Sequence, residues 1–366
     1  MVHFTNDRMF NHRLIDAFNE HQDSSYKILV FDWWTWLRSQ ANALDTKLST
    51  DEVITEVKEY DICFFVIREV LKTTGPNNYH GIDKILQNMV TELDNLNVFY
   101  VTLSENSIFP MDESKTFSIP WFIGNDLYTS PDTSIDFDYR PKDYTFNMLL
   151  GSEKPHRTRM FETIGAKSYM YSTYFGHKDF KHKSSIHLED IDITNNLTNQ
   201  DENVKLDTEN IHIIRDNSNW SLSHIVPESI YNNSHFDMVA ETHAFPPNMD
   251  FTTEKTGKPL STGRFFIWYN SPHKVEYLKQ FGFELQDYLC EYDNILDDDD
   301  RLTAILDLIK DISDNENYIK KIYKDTKKSR IHNQELYKEL METTDVKLSS
   351  WITTQINRNY KTEKTI

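Results

Sequence analysis

Glu241 closes the apolar run Met238-Val239-Ala240, and about a dozen residues later Thr253-Glu254-Lys255 opens a stretch that reads as a short helix. Thr253 suits the capping position of that helix, and Glu254 suits its positive end. Lys255 does not, because a cation is disfavoured at a helix amino terminus. The conflict is relieved if an anion such as a diphosphate sits between Lys255 and the unpaired backbone N–H groups. An ordinary capped surface helix is the plainer alternative. Other residue types with chemical potential are Arg157 and Arg159 at the start of a second helix, and the carboxylates Asp32 and Glu105 beside predicted strand ends. Trp33, Trp34 and Trp36 directly follow Asp32 and offer either flat rings to a sugar or nucleobase or bulk to a core.

The elements that must position these residues alternate along the chain. Apolar runs at 26–32, 62–67, 97–103 and 117–122 read as strands, separated by helices at 50–60 and 81–96. The proline-punctuated stretch 130–142 reads as a linker, after which the pattern restarts. Strands are predicted at 144–150, 167–172, 211–214, 236–241 and 264–269, with helices at 155–164, 226–234 and 253–262. The polar segment 177–210 reads as a long excursion, and helices are predicted at 272–281, 299–312 and 315–342. Strands alternating with helices predict an α/β protein with two Rossmann-like, doubly wound domains facing a central cleft and a helical carboxyl terminus. The expected boundaries are 1–140, 141–345 and a tail at 346–366.

Composition narrows the function classes. A formal net charge of -19 removes any bulk attraction to nucleic acid or anionic membranes. No apolar stretch approaches the length of a membrane span and no signal peptide is visible, so the chain reads as soluble and cytoplasmic. Cys63 and Cys290 lie far apart in apolar surroundings and read as reduced, buried thiols rather than a disulfide or a nucleophile. Asp297 to Asp300 read as a helix cap, and the lysines at 320, 321, 324, 327 and 328 as a solvated face or a polyanion contact. The pairs Asp136/Asp138 and Asp190/Asp192 lie in polar excursions, and His177, His182 and His187 share no helix or strand face, so no metal site is expected. A phosphate-binding glycine-rich loop is absent from the sequence.

The order strand-Glu, gap, Thr-Glu-Lys helix, small residue, hydrophobic strand resembles the donor-binding half of GT-B glycosyltransferases of the fucosyltransferase and exostosin type. It also resembles related glycosyltransferase-like proteins of phages and large viruses. Residues 223–283 carry most of the likeness, with Val226 to Tyr231 and Thr253-Glu254-Lys255 the most specific parts. Phe146 to Gly151 followed by Pro155-His156-Arg157-Thr158-Arg159 adds to it. The resemblance implies transfer of a sugar from a nucleotide-diphosphate sugar to an acceptor hydroxyl, inverting and without a metal or other cofactor. Lys255 with Arg157 or Arg159 would neutralise the diphosphate, while Glu254 and Glu241 would bind donor hydroxyls. A general base would come from the amino-terminal domain, where Asp32 and Glu105 are the candidates, and Trp33, Trp34 and Trp36 would stack on the acceptor. A glycan, a lipid-linked sugar, a protein or a modified DNA base would serve as acceptor. Gly257 and Pro259 depart from the family pattern and predict a short or kinked helix. A non-catalytic binding or structural protein on the same scaffold is the rival reading.

Overall fold

The structure is a computed structural model that describes residues 1–5, 12–32, 50–67, 91–93, 96–102, 113–124, 136–151, 154–174, 205–207, 212–215, 218–221, 226, 228–241 and 252–363. The chain forms two compact units, Met1–Asp126 with Asn248–Thr252 and Leu340–Ile366, and Leu127–Pro247 with Thr253–Glu339. Both are built on parallel sheets, which makes the protein α/β.

In the first unit β1 (Val2–Phe4), β2 (Ile28–Asp32), β3 (Ile62–Ile67), β4 (Val98–Thr102) and β5 (Thr116–Ser118) lie side by side in chain order, every neighbouring pair parallel. β2, β3 and β4 are buried along their whole length, which is why their sequences are unbroken apolar runs rather than alternating ones. One face packs Val30, Phe64, Val66 and Val101 against Leu14 and Phe18 of helix α1 (His12–Asn19). The same cluster contains Leu348, Ile352 and Ile356 from the far end of the chain. These three recur every fourth residue along the terminal helix Glu316–Glu363, so they form one stripe. Trp351 joins them, its ring edge-on to Phe64 and Phe99. The segment expected to be a tail is therefore, as far as Glu363, helix that completes the first core. The strand expected over 117–122 stops at Ser118; Pro120 and a short helix, Trp121–Gly124, follow it.

The second unit has a four-stranded sheet in the order β12 (Phe266–Tyr269), β11 (Ser234–Ala240), β6 (Tyr144–Leu150), β7 (Met170–Tyr174), again all parallel. The chain passes from β6 to β7 on one side and then returns to build β11 and β12 on the other. Helices α2 (Pro155–Ile164) and α3 (Glu254–Ser261) follow β6 and β11 respectively. Phe146, Met148, Phe236, Met238 and Ile267 form the core with Ile305, Ile309 and Ile312 of the helix Asp298–Ser313 and with Ile319 and Ile322 of the terminal helix. The strand expected near 211–214 belongs elsewhere: β8 (Lys205–Asp207), β9 (His212–Arg215) and β10 (Ser218–Ser221) make a separate antiparallel sheet. Alternation with helices is a weak guide here, because it cannot tell which sheet a short strand joins.

Several local expectations hold for physical reasons visible in the structure. Asp297 caps its helix by accepting from the N–H groups of Asp299 and Asp300. Cys63 and Cys290 are buried free thiols. Gly263 ends α3 with φ 60, and a Cβ there would lie 2.8 Å from Phe137 and 2.9 Å from the Arg330 carbonyl, so only glycine fits. In the lysine stripe, Lys320, Lys321 and Lys327 pair with Glu316, Asp325 and Asp138, and Asp136 pairs with Arg140. No helix among the described residues is long and apolar enough to cross a membrane.

Candidate functional site

Strand order in the second sheet reverses between β6 and β11. In open α/β sheets a ligand crevice forms outside the carboxyl ends of the strands at such a reversal. Those ends are Leu150 and Ala240, and helices α2 and α3 begin just beyond them. Two residues of the first turn of α2 tie it to β11: Arg157 Nη2 donates to the Ala240 carbonyl at 3.1 Å, and His156 Nε2 lies 2.9 Å from the Glu241 carbonyl. Pro155 pre-sets the first helical φ, and the Lys154 side chain makes no capping hydrogen bond.

Glu241 is wholly buried. Its Oε1 accepts from the Thr253 N–H at 3.0 Å and from Thr256 Oγ1 at 2.6 Å, and its Oε2 from Thr253 Oγ1 at 2.5 Å. The carboxylate thus occupies the amino terminus of α3, where the sequence led us to expect an external anion. A buried carboxylate needs several donors, and a helix terminus supplies them together with a favourable dipole. Lys255 finds its counter-charge locally: Nζ lies 2.7 Å from Glu254 Oε1 and 3.3 Å from Thr253 Oγ1. The conflict between a cation and a helix amino terminus is therefore met by two carboxylates of the chain itself.

Thr253 is the cap that the sequence predicts, accepting from the Lys255 N–H. Pro259 lies inside α3, which is only eight residues long. Lys258 is buried, and burial pulls its pKa down to about 8, with the nearby Glu254 acting in the opposite sense. Arg159 forms an exposed ion pair with Asp299. Asp32 ends β2 in the first unit, buried, with its N–H on Thr5 Oγ1 at 3.1 Å. Glu105, Trp33, Trp34 and Trp36 lie outside the described residues. No group of side chains suited to hold a metal ion occurs among the described residues.

Sequence reasoning missed a second polar assembly, in the middle of β11 and β6 and reaching towards the amino end of β11. Asp237 accepts from Arg264 Nε at 2.6 Å and from the Asn147 amide, and Arg264 also donates to the Tyr231 carbonyl at 2.7 Å. The available signal was a carboxylate and an amide set inside apolar runs, Phe236-Asp237-Met238 and Phe146-Asn147-Met148, on strands that the register makes neighbours.

His156 and His235 are both buried, and burial lowers each pKa from 6.5 to about 4. Above pH 6.5 the imidazoles are neutral in folded and unfolded chains alike and do not affect stability. As pH falls below 6.5 the unfolded chain takes up protons that the folded chain refuses, so stability declines. We expect a loss of about 1.5 kcal/mol per histidine between pH 6.5 and 5. Urea unfolding across that range should show the slope, and His156→Phe and His235→Phe should each flatten it.

No family model, curated protein or solved structure matches this chain.

Proposed function

We propose that the carboxyl edge of the second sheet binds the diphosphate of a nucleotide sugar and that the protein is a glycosyltransferase built on a GT-B-like scaffold. The observation that supports this reading is the strand-order reversal between β6 and β11, with two helix amino ends, Arg157 and Lys255 assembled at that edge. In this proposal Lys255 and Arg157 offset the charge that develops on the departing nucleotide, as fixed cations in a shielded crevice do. Glu254 takes donor hydroxyls, and Glu241 acts by holding α3 in place rather than by touching the sugar.

A second reading is favoured by one observation: the terminus of α3 is already filled by Glu241. That suits a non-catalytic binding module which keeps the scaffold. Two measurements separate the readings. A nucleoside diphosphate at a hundredfold excess over its Kd should stabilise the wild type by about 2.7 kcal/mol, seen as a raised Tm with UDP, GDP, ADP or CDP. Lys255→Ala should reduce that rise, and slow hydrolysis of the matching nucleotide sugar should mark an enzyme. A Tm rise with hydrolysis supports the transferase; no rise with any of the four nucleotides overturns the diphosphate site and favours the binding module.

A further inference from the structure

We propose that Lys142 is an acyl-acceptor amine, a modification site at which a small acyl phosphate or acyl thioester transfers its acyl group to Nζ. The residue borders a cavity of about 420 Å³ lined also by Tyr139, Thr145, Tyr169, His235 and Glu316. This cavity lies by the amino ends of β6 and β11, the edge opposite the proposed nucleotide site, and the inference does not depend on that site. Lys142 Nζ donates to a single described acceptor, the Tyr231 carbonyl at 3.0 Å, and forms no ion pair among the described residues. The carboxylates nearby are engaged elsewhere. Asp237 serves Arg264, Asp136 serves Arg140, and Glu316 accepts from Tyr139 at 2.7 Å and from Lys320 at 2.7 Å. Asp143, exposed, also lines the cavity. The wall is set by Tyr139 stacked on His235 at 5.4 Å, and His235 is uncharged at neutral pH.

Burial first, then the guanidinium of Arg264 and more weakly that of Arg330, disfavour the ammonium form of Lys142, against the opposing pull of Asp136 and Asp237. The pKa falls from 10.5 to about 8, so an appreciable fraction is free amine near neutral pH. In the transfer, the Nζ lone pair attacks the acyl carbon and a C–N bond forms. The C–O or C–S bond breaks, phosphate or thiolate leaves with the electron pair, and the amine proton passes to water. No oxidant or reductant is required. The product amide is neutral, so the step removes a cation from beside Arg264.

The full chain is treated with acetyl phosphate, and in a parallel arm with acetyl-coenzyme A, from pH 6 to pH 10, and site occupancy is read by peptide mass spectrometry. At pH 7.5 Lys142 should be acetylated at least about tenfold faster than the exposed Lys347, its raised free-amine fraction outweighing the lower nucleophilicity of a less basic amine. Its rate should reach half maximum near pH 8, and Lys142→Arg should abolish this label alone. Labelling by one donor only supports the site and identifies the acyl source. A rate at or below that of Lys347 across the range, or a midpoint above pH 10, overturns the proposal.

Discussion

Replacing Asp237 by Ala should destabilise the second unit by about 3–5 kcal/mol, because it leaves a buried guanidinium without its counter-ion. Arg264 is anchored by Asp237 at 2.6 Å, by the carbonyls of Tyr231 and Ser234 at 2.7 and 3.1 Å, and by the Tyr231 ring 4.3 Å from its guanidinium carbon. None of these groups can follow it to water, since they belong to β11 and to the helix Glu228–Asn233 that leads into it. The Asn147 amide would lose an acceptor at the same time. Urea unfolding of the full chain gives the loss directly. The double variant Asp237→Leu/Arg264→Met removes both charges and should recover about 2 kcal/mol or more relative to additivity. Additive losses would mean that the pair is not coupled.

A chain ending at Asp345 should lose the cooperative unfolding of the first unit altogether. The removed segment carries Leu348, Trp351, Ile352 and Ile356, three of them buried and the fourth packed against Phe64, Phe99 and Phe117. At about 1.5–3 kcal/mol for each buried side chain, their sum is comparable with the whole stability of an ordinary domain. Amide exchange in Ile62–Ile67 is the sensitive readout, since that strand lies in the middle of the sheet. Protection preserved there after truncation would show that the terminal helix is dispensable. Ile352→Ala, a milder change, should cost about 2–5 kcal/mol.

Much of the scaffold was legible in local sequence. Ile62–Ile67 and Tyr144–Leu150 occupy the stretches that their apolar runs indicate, and Pro155–Ile164 starts at its proline. These features are local: a run buried on both faces, a fixed φ and a capping carboxylate act within a few residues. The candidate site was half legible. Thr253 was recognisable as a cap, and Lys255 as a cation in an awkward place, because helix polarity is also local.

What the amino-acid sequence by itself determined is which segments become strands and helices, and which charges then need partners. Which partners they obtain was decided by tertiary structure. Glu241 reaches the start of α3 because β11 ends beside it, Asp237 meets Asn147 because β11 pairs with β6, and Leu348, Ile352 and Ile356 of the terminal helix complete the core on a sheet begun at Val2. Strand order and long-range packing set those encounters, and neither is encoded in the residues of any one element. A buried charge is stabilised by whatever the fold brings within about 3 Å of it, so its role becomes readable only when its neighbours are in place.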